Sequence, residues 1–165
     1  VNLRIGHLFE TPQHREAVAR LIHHEFWTEV AGASVDKMAA RLRNAATADA
    51  LPLCLIALQG DEPVGVVNLV DNDDEDHPEW RPWLAGMVVA SPHRGQGIGS
   101  MLVRALLAEA RRLRFERVYF GTDGPGFYER LGAIVHDVPR PGFWFMRFEL
   151  QEVDRPPNVP RPAAD

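Results

Sequence analysis

Glycines at alternate positions, Gly95, Gly97 and Gly99, stand between an apolar run at residues 84–90 and an amphipathic stretch at residues 100–115. A strand-length apolar run that passes through such a turn into helix-period sequence predicts a buried strand, a tight turn and a helix. Leu102, Leu106, Ala110 and Leu113 share one face of that helix, with Arg104 and Arg111 on the other. The start of a helix presents unpaired N–H groups and about half a positive charge, so it can hold an anion. Glycine lets the backbone turn there and admits a ligand without a Cβ in the way. Arg94 adds a formal charge on a fork suited to phosphate oxygens. The expectation is a phosphate or pyrophosphate at the head of the helix, although a bare strand–helix connection would use the same glycines.

Two other phosphate-binding loops fail on spacing. A Walker A loop needs Lys followed by Ser or Thr after its last glycine, whereas Ser100-Met101 follows here. The dinucleotide fingerprint is G-x-G-x-x-G in the first β-α unit, whereas this turn is G-x-G-x-G and lies far along the chain.

The 165 residues suit one domain, and 45% apolar with 25% charged content excludes wholesale disorder. No apolar stretch approaches the roughly 18 residues that span a bilayer, and residues 1–10 lack the apolar core of a signal peptide, so a cytoplasmic protein without a membrane role is expected. The single Cys54 excludes an internal disulfide and argues against a Cys-based metal site. The adjacent His23 and His24 point apart on a helix, so no metal is expected. A net charge of −5 conceals a split along the chain. Residues 61–80 hold eight acids and neither Lys nor Arg, while residues 91–117 hold six arginines against Glu109 and Glu116. One region could draw a cation and the other an anion. Nucleic acid is disfavoured, because the arginines ride on a helix already engaged with the sheet and the chain is acidic.

Along the chain, residues 3–9 read as a strand, and Thr11-Pro12 as the N-cap and first position of a helix running to about Trp27. Ser34 caps a second helix with Met38 and Leu42 on its apolar face. Residues 51–58 and 64–70 form a hairpin of strands covered on both faces. Gly86 interrupts the third apolar run and marks a bulge or a close backbone approach. A strand at 117–122, a short helix at 125–132 and a last apolar run at 143–150 complete an α/β layout with a mixed sheet. Residues 1–150 form the single domain, and residues 151–165, rich in proline and poor in apolar side chains, are expected to be an extended or disordered tail.

The run from Val89 to Gly99, with Arg94-Gly95-Gln96-Gly97-Ile98-Gly99 at its heart, resembles the acetyl-CoA signature of the GNAT N-acetyltransferases. Phe127-Tyr128-Glu129-Arg130-Leu131-Gly132 resembles a second motif of that family, in the expected order and about thirty residues downstream. The two together cover residues 84–133. The resemblance implies the GNAT fold, a mixed sheet splayed at the cofactor strand and flanked by about four helices. It implies acetyl-CoA as co-substrate and acetyl transfer to a primary amine by direct attack in a ternary complex. Gly95, Gln96, Gly97, Ile98, Gly99 and Ser100 would hold the pyrophosphate through their N–H groups, with Arg94 beside them. Met87, Val88 and Val89 would pair with the pantetheine arm from a strand bulged near Gly86, and a Met87 or Val88 N–H would polarise the thioester carbonyl. Tyr128 would be the proton donor to the departing thiolate. Two positions depart from the family pattern. The usual Asn after the following strand is replaced by Gly121-Thr122-Asp123, so Thr122 or Asp123 would stand in for it, and Ala133 occupies an aromatic position. Segments around Leu21-Ile22, Glu25-Phe26-Trp27 and Leu51–Leu55 also resemble, more faintly, the actin N-terminal acetyltransferases, whose acidic acceptors the acidic region here would repel.

An alkyl ammonium of pKa about 10.4 must lose a proton before it attacks, so a base is required. Candidates are Glu25, an acid within 71–76 such as Asp73, His77 and His136, with Glu25, Trp27 and Asp73 placed toward the acceptor. The acidic region favours a cationic acceptor such as a polyamine, an aminoglycoside-like amine or a basic peptide N-terminus, so a small cationic amine and a peptide or protein N-terminus both remain open. A non-catalytic acetyl-CoA sensor is the alternative, although Tyr128 favours an enzyme. A homodimer through an edge strand stays open, with Phe143-Trp144-Phe145 as edge or core.

Overall fold

The computed structural model describes residues 2–150; the tail expected at 151–165 lies outside the described residues. Strand β1 (Leu3–His7) leads into 3-10 turns, then α1 (Arg15–Ile22), α2 (Val35–Leu42), β2 (Leu53–Gln59), β3 (Glu62–Val70) and β4 (Trp83–Val89). Helix α3 (Ile98–Arg112), β5 (Arg117–Thr122), α4 (Pro125–Glu129), β6 (Ile134–Arg140) and β7 (Phe143–Glu149) follow. The strands form one mixed sheet in the order β1-β2-β3-β4-β5-β7-β6. Among the described residues only the β4–β5 pair is parallel.

Both faces of the central strands are covered, which explains their continuous apolar runs. Leu53, Leu55 and Ala57 of β2 pack with Leu102, Leu106 and Ala110 of α3, while Cys54, Ile56 and Leu58 pack with Val18, Ala19 and Ile22 of α1. Gly65 of β3 is small because α3 lies on it: a Cβ there would stand 2.9 Å from Leu102 Cδ1. Arg104 and Arg111 are exposed on the outer face of α3, as the period requires.

Local expectations were partly corrected. Ser34 Oγ does accept the Lys37 N–H at 3.1 Å. Thr11 makes no side-chain cap; a 3-10 turn at Pro12–His14 precedes α1 and satisfies the chain locally instead. The first α-helix stops at Ile22, and residues His23–Trp27 continue it as a π-turn. The aromatic run at 143–145 is not an edge, since β7 lies between β5 and β6. The sheet edges are β1 and β6, and any pairing between copies along an edge would have to use them. Among the described residues, no helix is long and apolar enough to cross a membrane.

Candidate active site

The sheet splits where β4 and β5 meet. They share one registered pair, Trp83 with Tyr119, and then diverge, so β4 beyond Trp83 has no strand partner on its β5 side. A bulge accompanies the split. Val66 pairs with Val88 and Asn68 with Ala85, so Gly86 and Met87 together face Val67 alone. Gly86 adopts φ +57°, and a Cβ on it would lie 2.9 Å from Asn68 Nδ2. The positive φ favours glycine there, and the Asn68 side chain would have to shift for any other residue. The result is an extended strand with free N–H and C=O groups lining a wedge.

At the end of the wedge, Gly97 (φ +81°) turns the chain into α3, and no side chain caps the helix. The first N–H to bond within the helix is that of Met101, to Gly97 O at 3.1 Å. The donors before it remain free for a ligand. Gly95 and Gly97 both have positive φ, and a Cβ on either would meet nothing within 4 Å, so the backbone lies open. Gly99 has a different reason for being glycine: a Cβ there would come within 3.3 Å of Phe127 Cζ, whose ring lies against the start of α3. A cleft of about 510 Å³ runs along this surface, lined by Met87, Val88, Val89, Arg94, Gly95, Gly97, Ile98, Gly99 and Ser100. The expected cofactor residues therefore come together, except Gln96, which lies in the turn but off the lining, and Asp123. Phe127 lines the same cleft although it was not singled out beyond its place in the second motif.

A larger cleft of about 1090 Å³ meets the first at Glu25 and Met87, which line both. Tyr128 and Asp123 belong to it, with Gly86 and Met87 of the bulge. The Tyr128 ring packs 4.4 Å from that of Phe120, and burial, helped by the Asp123 charge, pushes its hydroxyl up to about 12. Thr122 Oγ1 accepts the Gly124 N–H at 3.0 Å, so Thr122 is used in the turn. Of the two residues expected to stand in for the Asn, Asp123 is the one whose side chain makes no hydrogen bond among the described residues.

The acidic loop forms one wall of the larger cleft, and an aromatic anchor fixes it. Trp80 stacks on His77 at 3.7 Å and packs against Phe145 at 5.2 Å and His136 at 4.6 Å. It thereby covers the face of β5 and β7 beside Tyr119. Asn72 Nδ2 donates to the carbonyls of His77 and Trp80, both at 3.0 Å, and clasps the loop on itself. His77 Nδ1 lies 2.7 Å from Asp74 Oδ2, which raises the His77 pKa and lowers that of Asp74. Asp73, although exposed, has its carboxyl raised above the ordinary range by crowding protein, an effect that Arg41 opposes and Asp74 adds to. Asp71, Asp73, Asp74, Asp76 and His77 all line the cleft. His136 does not: it accepts a hydrogen bond from Arg147 Nη1 at 2.9 Å, and burial lowers its pKa.

The π-turn brings Glu25, Phe26 and Trp27 onto the same cleft, and Arg41, Arg140 and Phe143 join them from α2 and the β6–β7 hairpin. Arg140 and Phe143 reach the cleft that Tyr128 lines only through the return of the β6–β7 hairpin across the sheet, and Arg41 reaches it through the packing of α2, so their local sequence gave no sign of this place.

The acetyltransferase (GNAT) family model matches residues 19–133 of the chain. No curated protein matches the sequence. Among solved structures, an acetyltransferase from Salmonella typhimurium, yncA, crystallised with acetyl-CoA, is similar with a TM-score of 0.73 and 18% identity, covering 93% of this chain and 97% of its own. An aminoglycoside 6'-N-acetyltransferase from Enterococcus faecium matches with a TM-score of 0.68 and 20% identity, covering 97% and 99%. An aminoglycoside 6'-acetyltransferase type Ii matches with a TM-score of 0.68 and 22% identity, covering 96% and 99%. At these identities the structural likenesses establish the fold.

Proposed function

Since the chain belongs to the GNAT acetyltransferase family, we propose that it moves an acetyl group from acetyl-CoA to the primary amine of a small cationic molecule. The observation that carries this is the continuity of the site: an unpaired strand edge ends at an uncapped helix, and Tyr128 and a cleft with an acidic wall adjoin it. Acetyl-CoA supplies the acetyl group as a reactive thioester. The glycine turn and the first N–H groups of α3 suit its pyrophosphate, with Arg94 adding charge. The free edge of Met87, Val88 and Val89 suits an extended pantetheine arm as a sheet edge suits an added strand.

On the acceptor side, an ammonium entering this cleft meets Asp73 and Asp76, neither of which is in an ion pair among the described residues. Asp73 is our candidate base, because a carboxyl with a raised pKa accepts a proton more readily than an ordinary one. Glu25 is a poorer candidate, since Arg94 already pairs with it at 3.2 Å. Tyr128 stays protonated through the neutral range and can donate a hydrogen bond to the departing sulfur.

Isothermal titration with acetyl-CoA tests the cofactor reading, repeated with Gly97→Trp. The position has open space around it, so the indole would enter the cleft; its φ of +81° strains any side chain, so thermal melting of the variant checks that it remains folded. Micromolar binding by the parent chain, lost in the variant, is the expected result. A well-folded chain that binds no acetyl-CoA would overturn the reading. Binding without thiol release toward any amine would convert it to that of a sensor.

A further inference from the structure

The larger cleft is not acidic on every side. Phe26, 48% exposed, stands on its rim with Trp27 and Met38 on the helical side, and Phe143 and Phe145 face it from β7. A large aromatic side chain left half in water at the mouth of a cavity lacks a partner that the fold supplies elsewhere. Two arginines also line the cleft, each over a ring: Arg41 is 5.8 Å from the Trp27 centroid and Arg140 is 4.3 Å from that of Phe143. They keep their charge, and Arg41 acts on Asp73, but Glu25, Asp71, Asp73, Asp74, Asp76 and Asp123 outnumber them along the lining. The cleft thus offers an ammonium site on one side and an apolar, aromatic surface on the other.

We propose that the acceptor is an amphipathic amine, a primary ammonium carried on an aromatic or bulky aliphatic body, rather than an aminosugar. This deepens the acetyltransferase reading and rests on it. Charge complementarity directs the ammonium toward Asp73 and Asp76, and the body lies on Phe26 and Met38. A polyhydroxylated acceptor would strip water from its hydroxyls against that apolar surface without matching hydrogen bonds. An aryl or bulky alkyl body would instead gain by burial, by about ten- to a hundred-fold in kcat/KM for one ring.

The test is thiol release from acetyl-CoA by the whole chain with four acceptors: 2-phenylethylamine, propylamine, kanamycin and a short peptide with a free N-terminus. Phenylethylamine is expected to exceed propylamine at least ten-fold in kcat/KM and to exceed the other two. Phe26→Ala and Met38→Ala should each cut the phenylethylamine-to-propylamine ratio about five-fold, with acetyl-CoA affinity by titration as the check on folding. Preference for kanamycin, propylamine or the peptide would overturn the proposal, as would a ratio that survives both substitutions. Acetyl-CoA binding without turnover of phenylethylamine would overturn the substrate class alone, whereas absence of acetyl-CoA binding would overturn the underlying reading as well.

Discussion

Arg94 Nη2 lies 3.2 Å from Glu25 Oε2, while its Nε donates to the Val89 carbonyl at 2.9 Å. One guanidinium thus ties the glycine turn to the end of β4 just before it and to the π-turn after α1, 69 residues away in sequence. Both partners are partly exposed, so the pair itself contributes little stability. On the proposed reading its importance is positional, because it holds the Glu25 carboxylate against Arg94 at the junction between the two clefts.

The Glu25–Arg94 pair therefore separates two roles by kinetics. Arg94→Ala is expected to raise the acetyl-CoA dissociation constant about ten-fold by removing a charge-assisted contact. Glu25→Gln should lower the KM for acetyl-CoA by less than about five-fold, since it removes a negative charge near the phosphates, and should leave kcat within about three-fold. Steady-state kinetics would decide: a fall in kcat on the order of a hundred-fold in Glu25→Gln would make Glu25 the base after all.

Tyr128 sits at about 12, while a thiol ionises at about 8.5. Complete proton transfer from phenol to thiolate is uphill by roughly 5 kcal/mol, so Tyr128 acts as a hydrogen-bond donor to the developing charge on sulfur. Tyr128→Phe is expected to lower kcat by about a hundred-fold, the scale of one lost oriented donor, with acetyl-CoA affinity unchanged. The pH–rate profile of the parent chain should show no fall from Tyr128 ionisation below pH about 11, which stopped-flow thiol release can check. An unchanged kcat in the variant would remove Tyr128 from the mechanism.

Asp73 makes a prediction for both rate and stability. Its carboxyl pKa is raised by the fold, so the native state favours the protonated form, and that contribution is lost as pH rises through the folded value. At neutral pH the ionised group costs stability. Asp73→Asn should raise the melting temperature at pH 7, by no more than about 2 °C because the group is partly exposed. The gain should vanish as pH falls through the ordinary carboxylate range. In the same variant kcat/KM should drop about a hundred-fold at pH 7. A stabilised variant with full activity would leave Asp73 as a wall residue and move the search to Asp76 and His77.

The chain's local patterns already contained the cofactor half of the site. Glycine at 95 and 97 signals positive φ, Gly86 signals a bulge, and the period of Leu102, Leu106 and Ala110 sets which way α3 faces; each is a property of neighbouring residues. The continuous apolar runs at 53–58 and 64–70 likewise announced strands buried on both faces. On the acceptor half, the sequence named Glu25, Trp27 and Asp73, which do line the cleft, but not how they come together. Acids crowd residues 71–76, but their place beside Tyr128 depends on Trp80 docking across β5 and β7 and on the Asn72 clasp. The division of the histidines, with His77 on the cleft and His136 behind Trp80, depends on the same packing. Glu25, Phe26 and Trp27 share one cleft because the helix widens to a π-turn after Ile22, and Arg140 and Phe143 reach it because β7 inserts beside β5. Contacts between residues close in sequence are governed by backbone geometry and period, so the sequence alone determined the turn, the bulge and the helix that suit the cofactor. Contacts between distant segments depend on which surfaces pack, and only the tertiary structure decided what faces the acceptor.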